Sequence, residues 1–325
     1  MQKNLRQFII NSNKKIMNII VTGSLGNISK PLTKALVQKG HQVTVISSKP
    51  DKQKEIEALG AKAAIGSIED VNFITTIFTG TDAVYCMIPL LFTEPDLASY
   101  FRRVAQNYVQ ALKKAEVKRV VLLSGWSADL VSGENVEDIF DELSATSITI
   151  MRPASFYTNF YSSMNLIKGK GFIGKFLTLR HSGLLALLRG RTGLLMGNYG
   201  GDDRVVFVSP KDIAEAVVEE LIASTTEKIK IRYVGSEEMT CNEAAKIIGT
   251  AVGKPYLKWV RISDKQMLQG MKMAKVPLKL AETLVEMQSA MHSGATLRNF
   301  HQNNPKMGNV KLTDFAKEFA AVYNQ

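Results

Sequence analysis

The first half of the chain alternates short apolar runs with longer amphipathic ones. Residues 17–22 (MNIIVT) read as a buried strand, and 28–39 as a helix in which Leu32, Ala35, Leu36 and Lys39 recur at helical spacing. Gly40 then stands where a left-handed cap calls for glycine. The alternation continues with strands over 42–46, 61–65, 82–88 (DAVYCMI), 119–123 (RVVLL) and 148–151. Helices over 51–59, 69–78, 96–115 and 136–143 separate them. The strand runs are continuously apolar, as expected of parallel strands covered by helices on both faces. Strand, helix, strand in series requires right-handed crossovers. The expectation is therefore an α/β chain: a Rossmann-type doubly wound parallel sheet with a smaller, mostly helical C-terminal lobe.

After Pro153 the rhythm changes. Strands are expected over 205–208 and 229–234, helices over 211–223 and 241–252, and mostly helix beyond Asp264. Residues 1–16 read as a disordered tail before Met17, an alternative start. Residues 17–160 read as the nucleotide-binding core, with 204–234 returning to it. Residues 161–203 and 235–325 read as a substrate or lid lobe.

Composition bounds the function. An apolar fraction of 45% and a charged fraction of 22% belong to a globular protein. No apolar run approaches the roughly 20 residues of a membrane helix, so no membrane span is expected. Cys86 and Cys241 make no disulfide framework or metal spacing, which fits a reducing, cytoplasmic setting. None of His41, His181, His292 and His301 stands at ligand spacing from a carboxylate or cysteine, so no metal is expected. His41, opening a strand, is expected at the surface.

A net charge of +11 attracts anions, but the cations are spread along the chain. They concentrate only in 168–191, as Lys168, Lys170, Lys175, Arg180, Arg189 and Arg191, with no nucleic-acid motif beside them. No nucleic-acid partner is expected. The leucine-rich stretch 172–196 fits a lid; an oligomer contact and a membrane-surface element are its other readings. Its glycines, Gly174, Gly183, Gly190 and Gly193, exclude one continuous helix.

The strand over 17–22 runs straight into Gly23-Ser24-Leu25-Gly26-Asn27-Ile28-Ser29 and a helix. A diphosphate is held by backbone amides and the positive end of a helix dipole, and glycines let the backbone come close. Ser29 occupies the third position, where a glycine or other small residue lets helix and strand pack. An acid at the end of the second strand would bond the ribose of NAD(H) and repel a 2′-phosphate. This chain offers Ser47, Ser48 and Lys49 there, which favours NADP(H) over NAD(H).

These segments resemble, in order and spacing, the NmrA-like family of atypical short-chain dehydrogenases and reductases. The resemblance rests on VTGSLGNIS, GTDAVYCMIP, KRVVLLSG, ITIMRPASFYTNF, VVFVSPKDIAEAVVEEL and RYVGSEEMTCNEAAKIIGTAVGKP, and runs over roughly residues 17–323. It implies that Gly23, Ser24, Leu25, Gly26, Asn27 and Ile28 hold the pyrophosphate, and Ser47 and Lys49 the adenosine phosphate. Near the adenine, relatives often carry an acid where this chain has Ser67. Cys86, Met87, Ile88 and Pro89 would line the nicotinamide ribose. Ser124, Gly125, Pro153 and Phe156 would border the nicotinamide.

One departure matters for chemistry. Active short-chain dehydrogenases use a Tyr-x-x-x-Lys pair on the helix after the fifth strand, the lysine lowering the tyrosine's pKa. Residues 125–143 contain neither residue type, and their charges are all acidic: Asp129, Glu134, Glu137, Asp138, Asp141 and Glu142. Two functions survive. One is an NADPH-dependent oxidoreductase acting on a small apolar electrophile such as a quinone, with Ser124, Ser127 or Tyr157 as candidate hydroxyls. The alternative is an inactive NADP(H)-sensing regulator that binds a protein partner. Leu90, Phe92, Trp126, Tyr157, Phe160 and Tyr161 are the candidate walls of a substrate pocket.

Overall fold

The computed structural model describes residues 15–91, 94, 96–130 and 135–325. Residues 1–14 of the expected tail, Phe92 and Glu134 lie outside them. The chain opens with β1 (Asn18–Val21), α1 (Ser29–Gln38), β2 (Gln42–Ser47), α2 (Gln53–Ala58), β3 (Lys62–Ile65), α3 (Val71–Phe78) and β4 (Ala83–Cys86). It continues with α4 (Leu97–Lys114), β5 (Arg119–Leu123), α5 (Val136–Phe140) and β6 (Ser147–Pro153). These six strands and a later one, β10 (Ile229–Val234), form a seven-stranded sheet in the order β10-β6-β5-β4-β1-β2-β3. Every pairing in it is parallel.

The apolar runs end up where their continuity predicts. Ile19, Ile20 and Val21 of β1 and all of β4 are buried, because helices cover both sheet faces. Side chains alternate between two interiors. Ile19, Val21 and Tyr85 join α1's Leu32 and Leu36, while Ile20, Val84 and Cys86 join Ile74, Phe78, Val104 and Tyr108 of α3 and α4. Asp70 caps α3 by accepting from the amides of Asn72 and Phe73. Gly40 takes φ +84° past the end of α1. His41, expected at the surface, is buried, its Nδ1 accepting the Met17 amide at 3.3 Å. The hydrogen bond across to the start of β1 draws it in.

The second half is less purely helical than expected. β7 (Ser155–Phe156) pairs in parallel with β9 (Arg204–Val208), which pairs antiparallel with β11 (Glu237–Thr240). β8 (Leu195–Gly197) pairs with β12 (Trp259–Arg261). Of the expected return over 204–234, β10 joins the edge of the main sheet, whereas β9 stands in the separate three-stranded sheet. Between them α9 (Pro210–Ile222) packs on α1. The helices α6 (Met164–Lys168), α7 (Gly171–Ser182), α8 (Leu184–Leu188), α10 (Cys241–Ala251), α11 (Asp264–Met273), α12 (Leu278–His292), α13 (Ala295–Gln302) and α14 (Leu312–Tyr323) complete the chain. One buried cluster runs from Ile19 and Leu32 through Tyr157, Phe160 and Trp259 to Phe315 and Phe319. Among the described residues no helix is long and apolar enough to cross a membrane.

Candidate functional site

Because the seven strands are parallel, their carboxyl ends share one edge. The strand order reverses at β1, between β2 and β4, and ligands of open α/β sheets bind in the crevice at such a point. The glycine loop lies there. Gly23 takes φ +84° and Ser24 φ +54°. A Cβ on Gly23 would stand 2.7 Å from the Met87 Sδ and 2.9 Å from the Ser29 Oγ. Loop, helix start and β4 end thus converge on a point that only glycine can occupy. The Met87 amide donates to the Thr22 hydroxyl at 2.9 Å, and Tyr108 donates to the Met87 carbonyl at 2.9 Å, so both strand ends are tied together.

The third small position is explained by its bond. Ser29 is buried and donates to the Thr22 carbonyl at 2.8 Å, stitching helix to strand. Ser24 ties the loop to β2: its amide donates to the Ile46 carbonyl at 3.0 Å and its hydroxyl to the Ser47 Oγ at 2.9 Å. Ser47 is buried and also accepts the Lys49 amide at 3.2 Å, while Ser48 and Lys49 are exposed. Ile28, the residue before helix α1, supplies no side-chain cap, and the helix's first turn holds no acid. Its leading amides and dipole therefore face the loop uncompensated by protein anions. A close-approach glycine, a helix start without a side-chain cap and hydroxyls with an ammonium at β2 fit a dinucleotide phosphate. Lys52 and Lys30 are engaged elsewhere. Their hydrogen bonds to Glu55, that of Lys30 foremost, hold its carboxyl down at about 2.

Along the same edge, Cys86 is buried in the far interior, and burial pushes its thiol up. Met87, Ile88 and Pro89 are half-buried and Leu90 is 44% exposed. Ser67 is exposed, its hydroxyl accepting the Glu69 amide. Pro153 is buried at the end of β6, and Phe156 of β7 is half-buried.

Where a Tyr/Lys pair would stand, a different constellation is built. Ser124, half-buried beyond β5, donates to the Glu137 Oε1 at 2.5 Å. Glu137, buried on α5, accepts two bonds from Arg152 of β6, from Nε at 3.1 Å and Nη2 at 2.7 Å. Arg152 also donates to the Tyr233 hydroxyl at 2.9 Å and pairs with Asp129 at 3.0 Å. Burial disfavours the Arg152 charge, yet the hydrogen bonds of Glu137 and Tyr233 outweigh it and hold the guanidinium above its ordinary range. Asn299 steadies Asp129 from α13 at 3.1 Å. The sequence reading missed this set. A guanidinium within the apolar run of a doubly covered strand was the available signal, since a buried charge requires a partner.

The other candidate hydroxyls lie elsewhere. Ser127 is buried. Tyr157 is wholly buried, its hydroxyl 3.1 Å from both the Glu237 carboxylate and the Val310 carbonyl. Burial and the Glu237 charge push that phenol well above its ordinary range. The structure places Trp126, Tyr157 and Phe160 inside the core and not on an open wall. Trp126 packs edge-on to Phe300, Tyr157 stacks on Phe315, and Phe160 stacks on Phe207. Tyr161 is half-buried and, with Asn27, Pro31, Thr158 and Phe315, lines a cavity of about 460 Å³ beside α1.

Known proteins match this arrangement along its length. A family model described as NAD(P)H-binding covers residues 23–222. An NAD(P)H azoreductase of Xenophilus azovorans is 23% identical over 94% of this chain and 99% of its own. Among solved structures, the triphenylmethane reductase of Citrobacter sp. shares 17% identity at a TM-score of 0.69, covering 94% of this chain and 99% of its own. The NADPH-dependent quinone oxidoreductase QOR2 of Escherichia coli, solved with NADPH, shares 16% identity at 0.68, covering 93% and 99%. The chain belongs to the NAD(P)H-binding family.

Proposed function

We propose that this protein is an NADPH-dependent reductase of a small apolar electrophile of the quinone or dye type. The observation that carries the reading is the Ser124–Glu137–Arg152 set at the place of the proton-transfer pair. When bound, the reduced nicotinamide supplies a hydride. The chain's own contribution is to bind and orient. Gly23 and Gly26 keep the loop open, the first amides of α1 meet the diphosphate, and Ser47, Ser48 and Lys49 meet the adenosine 2′-phosphate. Met87 to Pro89 and Ser124 to Gly125 flank the nicotinamide end.

Ser124 has its hydroxyl hydrogen committed to Glu137, so toward a ligand its oxygen acts as an acceptor. It orients an N–H or O–H of whatever lies above β5 and gives up no proton. A substrate suited to this site accepts a hydride and takes its proton from water, with orientation supplying the rate. Electron-poor quinones and dyes meet that requirement, whereas unactivated ketones do not. The low-identity relatives that act on azo compounds, triphenylmethane dyes and quinones support this reading.

NADPH oxidation followed with a panel of quinones, azo dyes and an unactivated ketone tests the proposal. Turnover is expected with the first two and not with the ketone. Tight NADPH binding with no turnover on any acceptor would instead assign the chain a sensing role.

A further inference from the structure

Helices α7 and α8 pack on each other, parted by Gly183 at φ +83°. They turn apolar side chains to solvent: Phe172 and Leu188 are 85% and 74% exposed, and Phe176, Leu179, Leu184 and Leu185 are exposed as well. Phe172, Phe176 and Leu179 follow one face of α7, where the rings of Phe172 and Phe176 stack at 6.4 Å. Soluble monomers seldom leave more than roughly a few hundred Å² of contiguous apolar surface uncovered. A lid closed on the body would hide these side chains; here they point away from it. Exposed Lys170, Lys175, Arg180, Arg189 and Arg191 are interspersed among them, and residues 143–201 contain no Asp or Glu.

We propose that this helical pair is a docking surface for an anionic phospholipid bilayer. It would lie in the interfacial plane with its phenyl and leucyl groups at the acyl boundary and its cations on headgroup phosphates. Charge complementarity selects this occupant. A second copy on a twofold axis would set the same cations against each other, with no carboxylate in the segment to answer them. An anionic bilayer offers both the apolar phase and the opposite charge. With 12 and 5 residues the two helices lie on such a surface and do not cross it. The net charge of +11 adds long-range attraction.

Co-sedimentation of the full chain with vesicles of phosphatidylglycerol and phosphatidylcholine, and with phosphatidylcholine alone, tests this. Binding to the anionic vesicles is expected to be at least about tenfold tighter and to weaken with salt. Two double variants, F172S/L188S and R180E/R189E, are each expected to lose at least about tenfold in vesicle affinity. An unchanged melting temperature and NADPH affinity would show that both retain the fold. The proposal is overturned if the protein fails to pellet with anionic vesicles, if neutral vesicles serve equally, or if the variants bind as well as the parent. A dimer in analytical ultracentrifugation that F172S/L188S dissociates would also overturn it, giving the patch to a second copy.

Discussion

Ser124 donates its hydroxyl hydrogen to Glu137 at 2.5 Å, and this bond spans the gap between the end of β5 and helix α5. On the function proposed above, it makes Ser124 an acceptor toward the bound ligand. Ser124→Ala is expected to lower kcat with a quinone by about tenfold or more while NADPH affinity changes by less than about twofold. The kcat of the parent should stay flat between about pH 6 and 9, because no tyrosine–lysine pair titrates there. A bell-shaped profile would contradict the assignment.

Tyr157 should behave in the opposite way. Its hydroxyl is bound inside the core to Glu237 and Val310. Tyr157→Phe is expected to cost about 1–2 kcal/mol of stability, measured by urea unfolding, with kcat unchanged. Loss of turnover at full stability would move the chemistry to Tyr157.

Gly23 has no room for a side chain between Met87 and Ser29, and its φ of +84° disfavours any L residue. Gly23→Ala is expected to weaken NADPH binding by at least about tenfold and to cost about 1–3 kcal/mol. Titration of cofactor fluorescence beside a thermal melt reads both effects.

Lys49 decides between cofactors if it meets a 2′-phosphate. A charge-assisted bond contributes about 1.5–3 kcal/mol, so Lys49→Glu should shift the NADPH to NADH affinity ratio by on the order of tenfold to a hundredfold toward NADH. Calorimetric titration with both cofactors checks it, and an unchanged ratio would remove Lys49 from the site.

Acid stability should be set in part by Glu220 on α9. Burial raises its pKa, but hydrogen bonds from Lys230 and Arg232 outweigh this and hold it below the ordinary 4.5. It also meets buried Arg119 at 3.1 Å. A carboxyl depressed in the folded state adds stability that is complete above its unfolded value and disappears as pH falls through the folded one. Glu220→Gln is therefore expected to cost about 3–5 kcal/mol at neutral pH, with the difference from the parent shrinking in acid. Urea titrations across pH would show an undiminished gap if another group were responsible.

The sheet was legible because parallel strands covered on both faces leave continuous apolar runs, as in the segments that became β1, β4 and β5. The glycine loop was legible for a related reason: a turn that takes φ +84° with no room for a Cβ beside Met87 and Ser29 leaves few residue choices at Gly23. Facing direction in irregular segments was not legible. Trp126, Tyr157 and Phe160 follow strand ends, yet packing against Phe300, Phe315 and Phe207 carries them inward. Partner identity was equally hidden, since Glu137 and Arg152 meet across 15 residues, and His292 and Asp203 across 89. Local periodicity reports burial and says nothing of which distant charge will arrive opposite.

The interior that joins Ile19 and Leu32 to Phe315 and Phe319 is one continuous cluster drawn from both halves of the chain. A fragment ending after β6 would carry the whole glycine loop and still lack the aromatic seam of Phe315 and Phe319 that completes this cluster. Recombining such a protein with a relative to change its specificity would require moving the seam residues on both sides together. The last helix and the first strand thus share one continuous interior through the residues packed between them.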